Sequence, residues 1–217
     1  MAARTELHEL LQSQGLVLPP AAEAALEILL AELLRWNQKV NLTSITDLAE
    51  AREKHLLDSL TLLPLLQGDE RLLDVGSGAG FPGIPLKLAA PGLQLLSVDG
   101  VQKKIAFQRH VARLLGLQGF SAEHLRVEQV PQHPLGRGGF AVVVSRAFAS
   151  LEQFAALALP CLAPDGRIVA MKGAEAEAEL QQSSATLARL GLHCSELRPL
   201  RLPLSGSQRS LIVLTRC

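Results

Sequence analysis

The spacing of apolar residues divides the chain into a first part that predicts only helices and a second part that alternates. In the first part, leucines recur three and four residues apart along Ala21–Lys39, directly after two prolines, as in an amphipathic helix that begins at proline. A second helical stripe begins near Asp47, with Glu50 three residues later as in a capping box. We therefore predict a helical N-terminal region over residues 1–67 and a separate domain over residues 68–217.

After residue 67 the pattern becomes that of an α/β protein. The predicted strands are Arg71–Val75, Leu93–Val98, Phe120–Leu125, Phe140–Val144 and Arg167–Met171. Helices are predicted over Val101–Leu115 and Ala174–Leu190, and each is followed by a glycine, Gly116 or Gly191, that can form its C-terminal cap. Strands that alternate with helices predict a parallel sheet with helices on both faces.

The C-terminal part departs from this alternation. Two strand-like runs, Leu192–Pro199 and Ser210–Arg216, are joined by residues 200–209, which carry no helical pattern. Parallel neighbours need a crossover connection, whereas a short loop joins antiparallel ones. We therefore predict an antiparallel hairpin that closes an otherwise parallel sheet.

Composition and charge restrict the class of protein. A hydrophobic fraction of 48% supports a sizeable core, yet no run approaches the roughly 18 apolar residues of a membrane span, and the N-terminus lacks a signal-peptide pattern. The net charge is zero, so only a local basic surface would attract nucleic acid. The cysteines Cys161, Cys194 and Cys217 are too scattered for a disulfide framework or a metal site. We expect reduced thiols, no metal and a cytoplasmic location.

The most informative segment is the glycine-rich turn after the first predicted strand. Residues Asp74–Gly80 read DxGxGxG, and Gly78–Gly83 also satisfies GxGxxG, the dinucleotide-binding fingerprint. Glycine permits a positive φ and close approach of a ligand to the backbone, so both patterns predict a cradled cofactor. An acid at the strand end suits the ammonium of a cofactor that carries an amino acid, and it would repel a pyrophosphate.

A second acid, Asp99, ends the next predicted strand, 23 residues after Gly76. A carboxylate there can accept both ribose hydroxyls of an adenosine, a feature that NAD and S-adenosylmethionine share. The predicted terminal hairpin resembles the sheet of S-adenosylmethionine-dependent methyltransferases and not the all-parallel dinucleotide-binding sheet. The pattern favours S-adenosylmethionine, with NAD or a purely structural glycine turn as alternatives.

Eight segments between residues 36 and 173 resemble, in order and spacing, one protein family. They are Trp36-Asn37, Asn41-Leu42-Thr43, His55–Ser59, Gly76–Gly83 with Pro85, Lys103–Phe107, Arg126-Val127-Glu128, Ser145-Arg146-Ala147 and Met171-Lys172-Gly173. The chain is thereby similar to the bacterial small-subunit rRNA guanine-N7 methyltransferases, also called the glucose-inhibited division protein B family. Two places depart from the family pattern. Its acid–Arg–His sequence is here Gln208-Arg209-Ser210, and Gly100 follows Asp99 where serine is usual.

The resemblance implies a Rossmann-like methyltransferase sheet with a small helical N-terminal region, acting on 16S rRNA or the small ribosomal subunit. We expect a monomer. The implied reaction transfers a methyl group from S-adenosylmethionine to N7 of guanine 527 in the standard rRNA numbering. The residues implied for the cofactor pocket are Gly76, Gly78, Phe81, Asp99, Val127, Glu128 and Arg146. For contact with the RNA we predict Asn41, Lys103, Lys172 and Arg209.

The implied chemistry makes few demands on catalytic side chains. The N7 lone pair of guanine is free, so no proton has to be removed and no general base is needed. His55 and Asp58 lie one helical turn apart and are the candidates for a catalytic role, although they could equally form a structural pair. The alternatives are a methyltransferase of a small molecule or protein, an NAD oxidoreductase and a non-catalytic RNA-binding module.

Overall fold

A computed structural model describes residues 6–146, 148 and 150–217, and it contains one seven-stranded sheet with helices on both faces. The strands are β1 (Arg71–Val75), β2 (Gln94–Val98), β3 (Phe120–Glu123), β4 (Phe140–Ser145), β5 (Leu162–Lys172), β6 (Leu192–Arg201) and β7 (Gln208–Arg216). Their order is β3-β2-β1-β4-β5-β7-β6. Strands β1 to β5 pair in parallel, and β7 lies antiparallel between β5 and β6. The predicted α/β sheet with its terminal hairpin is confirmed.

Helices precede the sheet, as the leucine pattern predicts. They are α1 (Leu7–Ser13), α2 (Pro20–Val40), α3 (Leu48–Ala51), a π-helical turn (Arg52–Leu57), α4 (Asp58–Leu60) and a 3₁₀ turn (Leu63–Leu65). Helix α2 begins at its proline, and the Asp47 side chain caps α3 by accepting the Glu50 N–H at 2.8 Å. The spacing of apolar residues did not predict the π turn, because it assumes 3.6 residues per turn throughout. Residues 1–5 of the predicted helical region lie outside the described residues.

Four helices pack on the sheet. They are α5 (Gly83–Ala89), α6 (Gln102–Leu114), α7 (Leu151–Ala158) and α8 (Ala176–Arg189), with shorter 3₁₀ turns at Val127–Gln132, Pro134–Gly136 and Leu159–Cys161. The predicted caps of α6 and α8, Gly116 and Gly191, have φ values of 62° and 69°. None of the helices in the described part of the chain is both long and apolar enough to cross a membrane.

The core is continuous across the predicted boundary at residue 67. Successive strand residues face opposite sides of the sheet, so that Leu73 packs under α7 and α8 while Leu72 faces the side of α5. The fully buried leucines of α2 share a cluster with Phe81 of the glycine turn and Phe107 of α6. The helical region is therefore fixed against the turn, and the division into two domains stays a prediction.

Candidate functional site

The carboxyl ends of the parallel strands bring most of the predicted site residues to one edge of the sheet. Val127 and Glu128 come after β3, Asp99 directly follows β2, and the turn Gly76–Gly83 directly follows β1. Arg146 directly follows β4, and Lys172 is the last residue of β5. Ligands of open α/β sheets bind at this edge, where loops diverge between neighbouring strands. The third residue of the segment Ser145-Arg146-Ala147 lies outside the described residues.

The glycine turn leaves open space beside its backbone. Gly76 and Gly78 have φ values of 64° and 59°, and a Cβ atom built on either glycine would meet no atom of the described residues within 4 Å. The positive φ values therefore require glycine here, while the free space admits a ligand close to the backbone. Gly80 differs, since a Cβ atom there would clash with the Ile84 side chain.

Asp74, on β1, fixes the glycine turn through a hydrogen bond to its last residue. The Gly83 N–H donates to Asp74 Oδ2 at 2.9 Å, and a Cβ atom on Gly83 would lie 2.7 Å from the same oxygen. Asp74 is fully buried, and its Oδ1 has no hydrogen-bond partner among the described residues. Burial raises the pKa of Asp74 to about 7, although the Gly83 hydrogen bond and the charge of Arg146 lower it. Asp74 thus fixes the backbone of the turn and is itself closed off from solvent.

Asp99 joins the turn to the end of β2. Its Oδ2 accepts the Gly78 N–H and its Oδ1 accepts the Val101 N–H, both at 2.8 Å. An ionised carboxylate has about four acceptor positions, so two remain for the hydroxyls of a ribose. Gly100 beside it also faces open space. These groups fit the adenosine part of a nucleoside cofactor.

Gln108 is a residue of this site that the sequence analysis missed. It is fully buried on α6 and donates from Nε2 to Ser77 Oγ at 2.7 Å and to the Gly78 carbonyl at 2.8 Å. The signal was present, because Gln108 stands midway between Ile105 and Val111 on the apolar stripe of the helix. A glutamine in a buried stripe requires polar partners, and here the partners belong to the turn.

A second feature of the edge is a cavity of about 270 Å³, whose lining includes the two side chains that lie against the Phe81 ring, His55 and Arg146. We call it the cationic cavity and define it by the charged and polar side chains that line it: Lys54, His55, Asp58, Arg146, Lys172 and Arg209. These residues come from the π turn, α4, the ends of β4 and β5, and the start of β7. Neutral net charge therefore coexists with a local cluster of four cations.

Asp58 lies between two arginines of the cationic cavity. Its Oδ2 is 3.9 Å from Arg146 Nη1, and its Oδ1 is 3.4 Å from Arg209 Nε. The second distance makes an ion pair without an aligned hydrogen bond, since Oδ1 has no hydrogen-bond partner in the described part of the chain. Burial raises the pKa of Asp58, while the charges of both arginines act in the opposite direction.

His55 is neutral and fixed on both sides of its ring. The ring stacks on Phe81 at 4.7 Å, with Nε2 2.9 Å from Thr43 Oγ1 and Nδ1 3.4 Å from Arg146 Nη2. Burial, and then the charge of Arg146, lowers the pKa of His55 to about 3. Arginine can only donate, so Nδ1 is the acceptor and the proton on Nε2 faces Thr43. At neutral pH this histidine orients its neighbours and carries no charge.

Arg146 connects the cationic cavity with the glycine turn. Its Nη1 donates to the Lys54 carbonyl at 2.7 Å, and its guanidinium carbon lies 5.3 Å from the centre of the Phe81 ring. The Arg146 side chain is thus fixed by the π turn on one side and faces the ring of Phe81, in the glycine turn, on the other.

The predicted RNA contacts fall into two groups. Arg209 and Lys172 line the cationic cavity, where Lys172 Nζ is also paired with Glu179 at 2.8 Å. Asn41, which caps the C-terminus of α2 in a left-handed conformation, and Lys103, in the first turn of α6, are exposed and do not line it. The structure therefore brings two of the four together.

Glu53 was also missed, and it explains how Arg209 reaches the cavity. This buried carboxylate on the π turn accepts the backbone N–H groups of Leu204 and Ser205 in the loop between β6 and β7. The interaction fixes that loop against the π turn, and Arg209 follows it on β7. No sequence pattern could have predicted a contact between segments 150 residues apart.

Comparison with known proteins gives a consistent result. The sequence model of the family described as rRNA small subunit methyltransferase G matches residues 22–206. A curated ribosomal RNA small subunit methyltransferase G from Syntrophotalea carbinolica is 49% identical over 213 residues, which are 98% of each chain. Another from Geobacter sp. strain M21 is 47% identical over 202 residues, covering 93% of this chain and 92% of that one.

The similarity to solved structures concerns the fold. An S-adenosylmethionine-dependent methyltransferase from Geobacter sulfurreducens, solved with S-adenosyl-L-homocysteine, superposes with a TM-score of 0.55 at 15% identity. The match covers 74% of this chain and 91% of that one. At this identity the comparison supports the shared α/β architecture alone.

Proposed function

Because this chain belongs to the rRNA small subunit methyltransferase G family, we propose that it transfers a methyl group from S-adenosylmethionine to N7 of one guanine in 16S rRNA. The family predicted from eight short segments is confirmed by a relative that is 49% identical over 98% of both chains. The single observation that carries the proposal is this match along the whole length. The methylated atom, guanine N7, is the more specific part of the proposal, and it is implied by the resemblance of the sequence segments to the family.

The cofactor is assigned to the half of the edge that contains the glycine turn. When bound, S-adenosylmethionine supplies an activated methyl group. We assign the space beside Gly76 and Gly78 to its methionine part, the free acceptor positions of Asp99 to its ribose, and Val127 and Glu128 to its adenine. Phe81 packs beside it, and Arg146 lies near its carboxylate or the RNA.

The side chains contribute orientation and charge, without proton transfer. No base is required at N7, and the neutral His55 between Thr43 and Arg146 offers none at physiological pH. The main contribution is to hold the guanine beside the turn, because fixed orientation removes the entropic cost of a bimolecular encounter.

The RNA is assigned to the cationic cavity and its surroundings. Four cations there stand against the three carboxylates paired with them, Glu50, Asp58 and Glu179, and the excess of positive charge attracts phosphate. We further propose that the enzyme acts as a monomer in the cytoplasm, on 16S rRNA or on the small ribosomal subunit.

The proposed function is tested with small ribosomal subunits from cells that lack the enzyme. Incubation with S-adenosylmethionine labelled in its methyl group is expected to place label on one guanine of 16S rRNA, released as 7-methylguanine on hydrolysis. Asp99→Ala serves as the variant with impaired cofactor binding and is expected to lose most of the label. Label on a ribosomal protein, on another base or on no component would contradict the proposal.

A further inference from the structure

Accessibility of N7 cannot by itself select guanine, because adenine presents the same nitrogen in the same position. The other edge of the base does distinguish the two purines. Guanine presents an acceptor, O6, beside two donors, N1–H and the 2-amino group, whereas adenine presents a donor beside an acceptor. An enzyme that methylates N7 of guanine can therefore select its base with a carboxylate or equivalent acceptor, and a donor next to it, opposite that edge.

Asp58 and Arg209 form such a pair in the wall of the cationic cavity. Their charged groups lie side by side, with Asp58 Oδ1 3.4 Å from Arg209 Nε. The Asp58 side chain is only 5% exposed, and its Oδ1 has no aligned donor in the described residues. A buried carboxylate that lacks full hydrogen bonding has acceptor capacity for a ligand, and it is costly to leave unused.

The two arginines beside Asp58 differ in what they can offer a ligand. Arg146 donates to the Lys54 carbonyl and lies against His55, so its guanidinium is fixed by protein groups. Within the described residues, Arg209 makes one backbone hydrogen bond, to the carbonyl of its neighbour Gln208. Since a guanidinium has five N–H donors in a planar fork, Arg209 keeps donors for a carbonyl oxygen in the cavity.

Size and position also suit a single base. Pockets for drug-sized ligands have volumes of ~300 Å³ or more, and the cationic cavity, at about 270 Å³, is slightly smaller. A purine base is smaller than such ligands, so the volume of the cavity suits it. Arg146 lies in its wall and over the Phe81 ring of the glycine turn. A base in the cavity therefore has one edge toward Asp58 and another toward the turn.

We propose that the cationic cavity receives the target guanine, with Asp58 accepting hydrogen bonds from N1–H and the 2-amino group and Arg209 donating to O6. This inference rests on the proposed function and adds to it the residues that select the base. Asp58 is thereby a specificity-determining residue, which acts on the edge of the guanine away from the methylated nitrogen.

The test uses small subunits reconstituted with 16S rRNA that carries guanine, inosine or 2-aminopurine at the methylated position. Inosine lacks only the 2-amino group, and 2-aminopurine lacks O6 and the N1 proton, while all three keep N7. For the native protein we expect kcat/KM to fall about tenfold or more on each analogue, as for the loss of a base-edge hydrogen bond. Methylation of inosine as fast as guanine would overturn the assignment of Asp58.

Two variants separate recognition from a purely structural role. Asp58→Asn is expected to reduce the preference for guanine over inosine to less than about threefold. Arg209→Ala is expected to reduce the preference for guanine over 2-aminopurine and to keep the preference over inosine. Unchanged preferences in both variants would overturn the inference, since a structural defect lowers all rates together.

The controls distinguish this inference from the proposed function. S-adenosylmethionine affinity within about threefold of the native value shows that each variant keeps its fold and its glycine turn. Asp69→Asn, an exposed carboxylate outside the cavity, is expected to keep all base preferences. If the native protein labels no guanine N7, the proposed function fails; if it labels guanine and inosine equally, only the present inference fails.

Discussion

The two halves of the carboxyl edge are built in different ways. The half around the glycine turn uses backbone groups, and its main residues lie within the short stretch from Asp74 to Asp99. The cationic cavity uses charged side chains from segments as distant as Asp58 and Arg209. Backbone geometry tolerates little change, whereas a side-chain cluster can lose one member and keep others. We therefore expect severe effects in the first half and graded effects in the second.

The largest expected effect concerns the buried carboxyl below the turn, through Asp74→Asn. The folded-state pKa of Asp74, about 7, lies above its ordinary value of 3.8. The contribution of the protonated carboxyl to the free energy of unfolding is therefore fully present below pH 3.8 and is lost as the pH rises to about 7. A shift of about three pKa units corresponds to about 4 kcal/mol. We expect the amide variant to be more stable than the native protein by roughly this amount at pH 8 and equally stable near pH 4.

Urea unfolding between pH 4 and pH 8 measures this difference. Asp69→Asn, at an exposed position, is the control and is expected to change little at any pH. A stability difference for Asp74→Asn that does not depend on pH would show that the carboxyl is ionised throughout.

The next largest effect is expected for Gly78→Val. A β-branched residue is strained at a φ of 59°, and its side chain would occupy the open space beside the turn. We expect S-adenosylmethionine affinity, measured by calorimetry, to fall at least about a hundredfold, or roughly 3 kcal/mol. The matched control is Gly68→Val, at a φ of 79° with equally open space, which is expected to cost stability and not cofactor affinity.

A smaller effect is expected for Asp99→Ala. The change removes the acceptor proposed for the ribose and leaves the Gly78 and Val101 N–H groups without their partner. We expect cofactor affinity to fall about tenfold to a hundredfold, since a hydrogen bond to a charged group contributes roughly 1.5–3 kcal/mol. A variant with native affinity would remove Asp99 from the cofactor site.

The smallest effect is expected in the side-chain half, for Arg209→Ala. We expect RNA affinity to fall about tenfold, as for the loss of a contact to a base edge, while cofactor affinity stays within about twofold. Filter binding and calorimetry measure the two quantities. Arg198→Ala, on β6 and paired with Glu196, is the control. Equal losses of RNA and cofactor would show that the two halves of the edge are not independent.

The same contrast explains what the sequence could predict. Strand β1 and the glycine turn follow local rules, and the predicted limits of β1 agree with the structure. Strand β5 begins five residues earlier than predicted, because exposed residues such as Asp165 interrupt its apolar pattern while the backbone still pairs with β4. The interaction of Glu53 with the loop after β6 depends on distant segments, so it could not be predicted.

The position of β7 between β5 and β6 has a consequence for synthesis of the enzyme. Strand β6 is made before β7, yet it has no partner in the sheet until β7 is available. Among the described residues β6 therefore gains its partner in the sheet only with β7, which also carries Arg209 to the cationic cavity. The half of the edge that we assign to the RNA therefore depends on the last strand of the sheet, whereas the half that we assign to the cofactor uses the earlier strands β1 to β3.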